Sequence, residues 1–406
     1  MKITTDNYKG VRDFYPEDKF VQNYIFNTWK KTVLSFGYEE YDASILESTD
    51  LYKAKSGAEI VNEQTYTFID RGEREVTLRP EMTPSLARMI AKRKRELVFP
   101  LRWFSIPNLF RYEQPQKGRL REHWQLNVDI FGVKTIDAEM ELLNIAYNLM
   151  INLGFNDTQF EIKINDRKII KALCDELGLD AIKSEQFSRL LDKKKKIKNF
   201  DEELEKLLGK KVDLNLEPNE TVAAIIEKLR DQGISNISFD PTITRGFDYY
   251  TDFVFEVYDT GKENIRSIFG GGRYDNLLDI FGVEKVPAVG FGKGDVTIKD
   301  MLETYDLLPE YTSSAKIALC PINEAFFETT TQWANDLRTK GINVLVDYSA
   351  KKIGDLIKNV DKRKIPFVAV IGENEIESKI LNIKELLSGE ETKVQIDQIE
   401  NFLRKN

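Results

Sequence analysis

The sequence predicts an α+β protein: a strand-rich domain built on antiparallel hairpins, interrupted by a helical insertion and followed by a smaller α/β unit. Three observations carry that expectation. From His123 the residues alternate, with Trp124, Leu126, Val128 and Ile130 on one face and His123, Gln125, Asn127 and Asp129 on the other, as in a strand. From about 165 to 236 the chain turns helical and charge-rich, as in LDKKKKIKNFDEELEKLLGKK. After a linker at Pro309 to Ser314, the apolar runs KIALCPI, NVLVDY and PFVAVIG alternate with two helical stretches, so parallel pairing is expected there.

In chain order, KGVRDFYPED leads into a helix whose apolar residues Phe20, Val21, Tyr24, Ile25 and Trp29 keep helical spacing. Pro16 suits its first turn, Glu17 and Asp18 complement the positive end of its dipole, and Gly37 can end it. Its apolar face reads as core or as a surface shared with a second subunit. Leu51 to Ile90 reads as a loop, a hairpin turning at Asp70-Arg71-Gly72-Glu73, and a helix. Glu81 and Thr83 stand at that helix entry, where they serve either the dipole and cap or a bound ammonium group.

At 406 residues the chain has room for two or three domains. It carries 59 basic and 67 acidic residues, a formal charge of −8, so it is no uniformly basic nucleic-acid binder, although local basic patches remain available. No apolar run reaches membrane-spanning length and the start has no apolar signal core, so a cytoplasmic protein is expected. Cys174 and Cys320 lack ligand spacing and read as reduced packing residues. A single histidine makes a zinc site or a histidine-based triad improbable, and no metal ligands are assigned.

The chemistry concentrates in FRYEQPQKGRLREHWQLNVDIFG, residues 110–132. Arg111 and Glu113 share a strand face, and the connecting loop adds Lys117, Arg119 and Arg121. Basic groups beside carboxylates and amides suit a phosphate compound next to a polar organic substrate; a solvated hairpin face is the alternative. Arg245 in TRGFDYYT offers a second guanidinium, Tyr249 and Tyr250 offer rings and hydroxyls, and Gly270 to Gly272 allow close backbone approach.

Residues 110–132 resemble motif 2 of class II aminoacyl-tRNA synthetases, in the form found in histidyl-tRNA synthetases. LRPEMT (78–83), TRGFDYYT (244–251) and GGGRYD (270–275) resemble further motifs of that family, in the expected order over essentially the whole chain. The resemblance implies a class II antiparallel-sheet catalytic domain over 1–313, with a helical insertion at about 166–235 and an anticodon-binding domain over 314–406. It implies a homodimeric histidine–tRNA ligase that uses ATP and Mg²⁺ to form histidyl-adenylate and then charges tRNA(His). Arg111 and Arg245 would clamp the α-phosphate and Arg119 would reach the ATP phosphates. Glu81, Thr83, Gln125 and Asp129 would hold the amino acid, with Tyr249, Tyr250 and Tyr274 near its ring. Gln116 and Arg121 would meet the tRNA acceptor end from an exposed loop.

One motif departs from the family. Motif 3 usually continues from VGFG through GLER, whose arginine contacts ATP, whereas Asp295-Val296-Thr297 stands here, with Lys293 as the substitute point charge. His123 occupies a position often aromatic in relatives and reads as shaping the pocket rather than moving protons. Two other readings remain: a silent paralogue acting as regulatory subunit of the ATP phosphoribosyltransferase of histidine biosynthesis, and an RNA-binding module without chemistry. Keeping both Arg111 and Arg245 favours the ligase, and ATP binding discriminates among the three.

Overall fold

The computed structural model describes residues 3–54, 64–192, 194, 197–212, 214, 216–243, 249–261 and 266–405. Two compact units divide it, Met1–Leu308 and Pro309–Asn406. In the first, α1 (Pro16–Ser35) starts on its proline with Glu17 and Asp18 in the first turn and buries Ile25, Trp29 and Val33. Beyond the short strand β1 (Glu39–Glu40), β2 (Leu46–Ser48) leads into α2 (Thr49–Lys53), where a loop was expected from Leu51. β3 (Tyr66–Ile69) and β4 (Glu75–Leu78) form the expected hairpin, and β2 pairs with β4 to complete a three-stranded sheet. Asp70 organises the turn by accepting from the Gly72 and Arg74 amides.

Next come α3 (Thr83–Arg93), β5 (Leu101–Ser105), β6 (Asn108–Phe110), β7 (Glu122–Phe131), α4 (Asp137–Asn152) and β8 (Phe160–Asp166). The insertion supplies α5 (Arg167–Glu176), α6 (Ala181–Asp192), α7 (Phe200–Leu208) and α8 (Glu220–Asp231). After it follow β9 (Ile237–Phe239), β10 (Phe253–Asp259), β11 (Ser267–Arg273), β12 (Ala288–Gly294) and α9 (Asp295–Thr304). Nine strands make the main sheet in the order β1-β5-β7-β12-β11-β10-β8-β9, with β6 paired to β7 off that path. Its pairs are antiparallel except β1 with β5 and β8 with β9.

The sheet has two different faces. One is apolar: Leu126, Val128 and Ile130 of β7, Val289 and Phe291 of β12, and Phe253, Phe255 and Val257 of β10 pack against α1, α4, α8 and α9. The other carries a smaller cluster in which Leu86, Ala87 and Ile90 of α3 meet Tyr249, Tyr274 and Leu277. The insertion is not uniform. Ile170, Cys174, Phe187, Leu191, Phe200 and Leu204 close a small core of their own around α5, α6 and α7. By contrast, Val222, Ile225 and Leu229 of α8 belong to the main core. Of the four lysines at 193–196, only Lys194 is among the described residues, with its ammonium over the Phe200 ring.

In the second unit, β13 (Ile317–Pro321) pairs in parallel with β14 (Val344–Val346) and β15 (Phe367–Ile371). The two expected helices are α10 (Phe327–Thr339) and α11 (Ile353–Lys362). Beyond the short α12 (Glu373–Ser378), β16 (Ile380–Glu385) and β17 (Glu391–Gln395) add an antiparallel edge to the sheet, and α13 (Ile399–Lys405) closes the chain. Lys351, Lys352, Lys358, Lys362, Arg363 and Lys364 all lie on the surface. Cys174 and Cys320 are free and buried, as expected of packing residues.

A buried ion pair ties β11 to α4. Arg273 meets both oxygens of Glu139, at 2.6 and 2.8 Å, and adds the carbonyls of Val133 and Thr135. Removing the guanidinium alone strands a buried carboxylate, so Arg273→Met should lower unfolding stability by ~3–5 kcal/mol in urea. The double variant Arg273→Met with Glu139→Leu should recover most of that loss. A single-variant loss below ~1 kcal/mol would show that the pair does not hold the two elements together.

Candidate active site

The polar face of β7 is not a solvated hairpin face. Asn127 is 3% exposed and Asp129 2%. Across the β7–β12 register, Gly290 stands opposite Asp129 and Gly292 opposite Asn127. A Cβ at Gly290 would collide with Asp129 Oδ1 and the Tyr274 hydroxyl, and one at Gly292 with the Gln125 amide. On β11, a Cβ at Gly272 would lie 2.5 Å from the Phe253 carbonyl and 3.0 Å from the Tyr250 ring. These glycines give a floor of bare backbone, over which the β7 side chains lie flat. Gln125 donates to Asn127 Oδ1 at 2.8 Å, and the Asn127 amide donates to the Gln125 carbonyl at 3.0 Å.

Three tyrosines close the pocket. Tyr249 and Tyr250 meet edge to face at 5.1 Å between ring centroids, and Tyr274 lies 5.6 Å from Tyr249 and 6.1 Å from Tyr250. Tyr249 donates to Glu81 Oε2 at 3.1 Å. The Tyr274 hydroxyl donates to Asp129 Oδ1, while Asp129 Oδ2 is buried without a partner among the described residues. Burial pushes the Asp129 carboxyl up to about 7, against the pull of the Tyr274 hydroxyl. Glu81 is buried just ahead of α3. Thr83 opens that helix as its first residue, behind Met82, so it does not cap it.

The hairpin of β6 and β7 carries the cationic groups. The Arg111 amide donates to the Arg121 carbonyl, and the Arg111 side chain donates to the Pro80 carbonyl at 2.8 Å. That contact lays Arg111 along the strand leading to Glu81. At the exposed end of the loop, Arg119 meets Glu113 at 3.1 Å and Gln116 accepts from Arg266 at 3.1 Å. Arg121 departs from the expectation of an exposed loop group: it is 9% exposed, donates to the Tyr8 hydroxyl and the Glu113 carbonyl, and stacks 4.0 Å from the Tyr112 ring. Its backbone amide donates to the Gly10 carbonyl at 2.7 Å, and the Gly10 segment packs over its side chain.

Lys293 is also misplaced by the sequence reading. On β12 it alternates with Gly290 and Gly292, so its side chain enters the apolar face, 0% exposed, 4.4 Å from the Phe269 ring and beside the Met150 sulfur. Burial drives its pKa well down. It cannot serve as the point charge on the pocket side. Asp295, where the motif 3 segment diverges, is buried; it accepts from Arg12 at 2.8 Å and from the Trp124 amide at 2.9 Å. His123 is partly buried, and burial, with Arg111 and Arg12 nearby, lowers its pKa to about 3, so it stays neutral at physiological pH. Arg245 lies outside the described residues.

The chain is similar to known proteins in sequence and in fold. A family profile described as "Histidyl-tRNA synthetase" matches residues 10–206 and 195–293, and one described as "Anticodon binding domain" matches residues 316–406. The histidine–tRNA ligase of Leptospira biflexa is 43% identical over 96% of this chain and 94% of its own length. The chain belongs to the histidyl-tRNA synthetase family. The histidine–tRNA ligase of Picrophilus torridus is 36% identical over 99% of both chains. In fold, the chain resembles the histidyl-tRNA synthetase of Nostoc sp. PCC 7120, with a TM-score of 0.82 at 22% identity over 99% of both chains. It also resembles a Bacillus halodurans protein titled "ATP phosphoribosyltransferase regulatory subunit/histidyl-tRNA synthetase", with a TM-score of 0.71 at 22% identity over 88% of this chain and 97% of that one.

Within this histidyl-tRNA synthetase fold, the structure brings Glu81, Asp129, Tyr249, Tyr250 and Tyr274 into contact, with half-buried Gln125 further along the same face of β7 and Arg111 bonded to the Pro80 carbonyl beside Glu81. Sequence reasoning placed Asn127 on the polar face without giving it a role, and it missed Arg12. Arg12 meets its partner 283 residues away, a pairing no local pattern signals.

The Asp129 carboxyl gives the pocket a pH dependence. Because its folded pKa is raised, the folded state holds the proton between about 4 and about 7 and stability falls as pH rises through that window. Asp129→Asn should remove that slope in thermal unfolding profiles from pH 4 to 8, and an unchanged slope would show that Asp129 is already ionised at pH 5.

Proposed function

We propose that this chain is a histidine–tRNA ligase: it activates histidine with ATP and transfers it to tRNA(His). The observation that carries this reading is a buried polar strand face over a glycine floor, with the Arg111 guanidinium bonded to the Pro80 carbonyl beside Glu81. The Asp129 oxygen without a partner and the Tyr274 hydroxyl suit the two nitrogens of an imidazole, and Glu81, Thr83 and Gln125 suit the α-ammonium group. A pocket built of buried polar groups strongly rejects side chains that leave those groups unpaired. Family membership and the fold support the same reading.

The reaction needs alignment more than proton transfer, since the histidine carboxylate is already the nucleophile. That oxygen attacks the α-phosphorus and pyrophosphate leaves. Arg111 and Arg245 would hold the α-phosphate as its negative charge redistributes, with Arg119 toward the outer phosphates. A neutral His123 fits this chemistry, which asks for no base. Among the described residues no three of His, Cys, Asp and Glu cluster as a metal site. Glu113 on the hairpin is the carboxylate that would help hold a Mg²⁺, which would screen the charge of the ATP phosphates.

The transfer step adds the acceptor end of the tRNA, for which Gln116 on the exposed loop is the candidate contact; Arg121 instead braces the hairpin beneath it. We assign anticodon binding to residues 314–406, in keeping with the profile match to 316–406. Leu34 on α1 and Leu46, Phe68 and Ile69 on the small sheet remain exposed in the single chain, which supports a homodimer formed through this region. No helix among the described residues is long and apolar enough to cross a membrane, and we place the enzyme in the cytoplasm.

The silent-paralogue reading is supported by one fold likeness at 22% identity. Amino-acid-dependent ATP–pyrophosphate exchange, run across the standard amino acids, separates the two. Exchange with histidine alone is expected, and Arg245→Ala should lose at least about a hundredfold of it while still binding histidine. Folded protein with no exchange would contradict the ligase reading, and an active Arg245→Ala variant would contradict that residue's role.

A further inference from the structure

The corner of the site that the family serves with the motif 3 arginine carries Thr297 here, and the structure shows Thr297 occupied otherwise. Its hydroxyl donates to the Ile268 carbonyl at 2.9 Å, and its methyl lies 3.5 Å from where a Cβ at Gly118 would stand, under the loop of the hairpin. Lys293 points into the opposite face of the sheet. A guanidinium from the other end of the sequence is held two residues before Thr297, at the start of α9. Arg12 donates to Asp295 Oδ2 at 2.8 Å, and Asp295 is itself fixed at the end of β7 by the Trp124 amide.

The arrangement is more than a surface ion pair. Asp295 is buried to 3% exposure, whereas the Arg12 side chain keeps 22% of its surface. The Arg12 guanidinium lies 5.0 Å from the centroid of the Phe14 ring and 5.9 Å from that of Trp124, which holds it against two aromatic rings. Its Nε is buried without a hydrogen-bond partner among the described residues. Burial, with Arg111 and Arg12 nearby, holds His123 neutral.

Resting on the ligase reading above, we propose that Arg12, positioned by Asp295, is the guanidinium that binds ATP where the family uses its motif 3 arginine. The aspartate explains itself in this light: a carboxylate in a site for a polyanion is unfavourable unless it is neutralised and spent on holding a cation. Arg12 presents a rigid planar fork to the nucleotide, and Asp295 orients that fork without touching substrate.

The test is calorimetric binding of Mg²⁺–ATP and, separately, of histidine to the full chain. Arg12→Ala should weaken ATP binding by about tenfold or more and leave histidine binding within about twofold. Arg12→Lys should recover little, because an ammonium cannot copy the fork. Adding Thr297→Arg to Arg12→Ala should restore ATP affinity, which no purely structural role of Arg12 predicts. The proposal is overturned if ATP affinity is unchanged in Arg12→Ala. It is equally overturned if ATP and histidine affinities fall together with the thermal midpoint, which is the behaviour of a structural strap. Histidine-dependent exchange by the unaltered chain judges the ligase reading independently, and failure of the unaltered chain to bind ATP would overturn both.

Discussion

Burying the polar face of β7 is the constraint from which the site follows. Amides and carboxylates removed from water destabilise a fold unless they find partners, and Gln125, Asn127 and Asp129 do so along a single strand face. They can lie close to the sheet only because β12 brings Gly290 and Gly292 beneath them, where any side chain would collide. Among the described residues one Asp129 oxygen has no partner, and burial lifts its carboxyl toward neutrality. An unsatisfied buried acceptor beside a tyrosine cluster is a strained arrangement for an empty protein and a prepared one for a polar ligand.

The opposite face of the same sheet supplies the rigidity. Leu126, Val128 and Ile130 alternate with the pocket residues and lock β7 onto α1, α4 and α9, so pocket geometry is inherited from core packing. The buried Arg273–Glu139 pair fixes β11 to α4 from the side, next to Tyr274. Polar recognition and hydrophobic packing are thus written into alternate residues of one strand. A one-residue slip in the β7–β12 register would exchange the two faces.

Much of this was legible in the residues. The alternation from His123 to Ile130 gave the strand and its two faces, Pro16 with its acidic neighbours gave α1, and the apolar runs after 314 gave the parallel strands of the second unit. The solvated-face alternative for the hairpin could not be dismissed from sequence, because burial of the second face depends on glycines about 160 residues away. Lys293 was misjudged for a related reason: its parity relative to Gly290 and Gly292 sends it to the apolar side, a fact visible only once the register is known. Arg121 was expected on an exposed loop from the family resemblance, whereas it is spent on stacking with Tyr112. The Arg12–Asp295 contact had no local signal at all, since long-range ion pairs leave no periodicity behind.

A crystal structure of the chain with a non-hydrolysable sulfamoyl analogue of histidyl-adenylate bears most directly on the pocket over the glycine floor. The imidazole should lie against the polar face of β7, with its nitrogens on Asp129 and the Tyr274 hydroxyl and the ammonium group of the analogue toward Glu81. An imidazole seated away from the polar face of β7, with Asp129 Oδ2 still unpartnered, would contradict the assignment of that face as the amino-acid site.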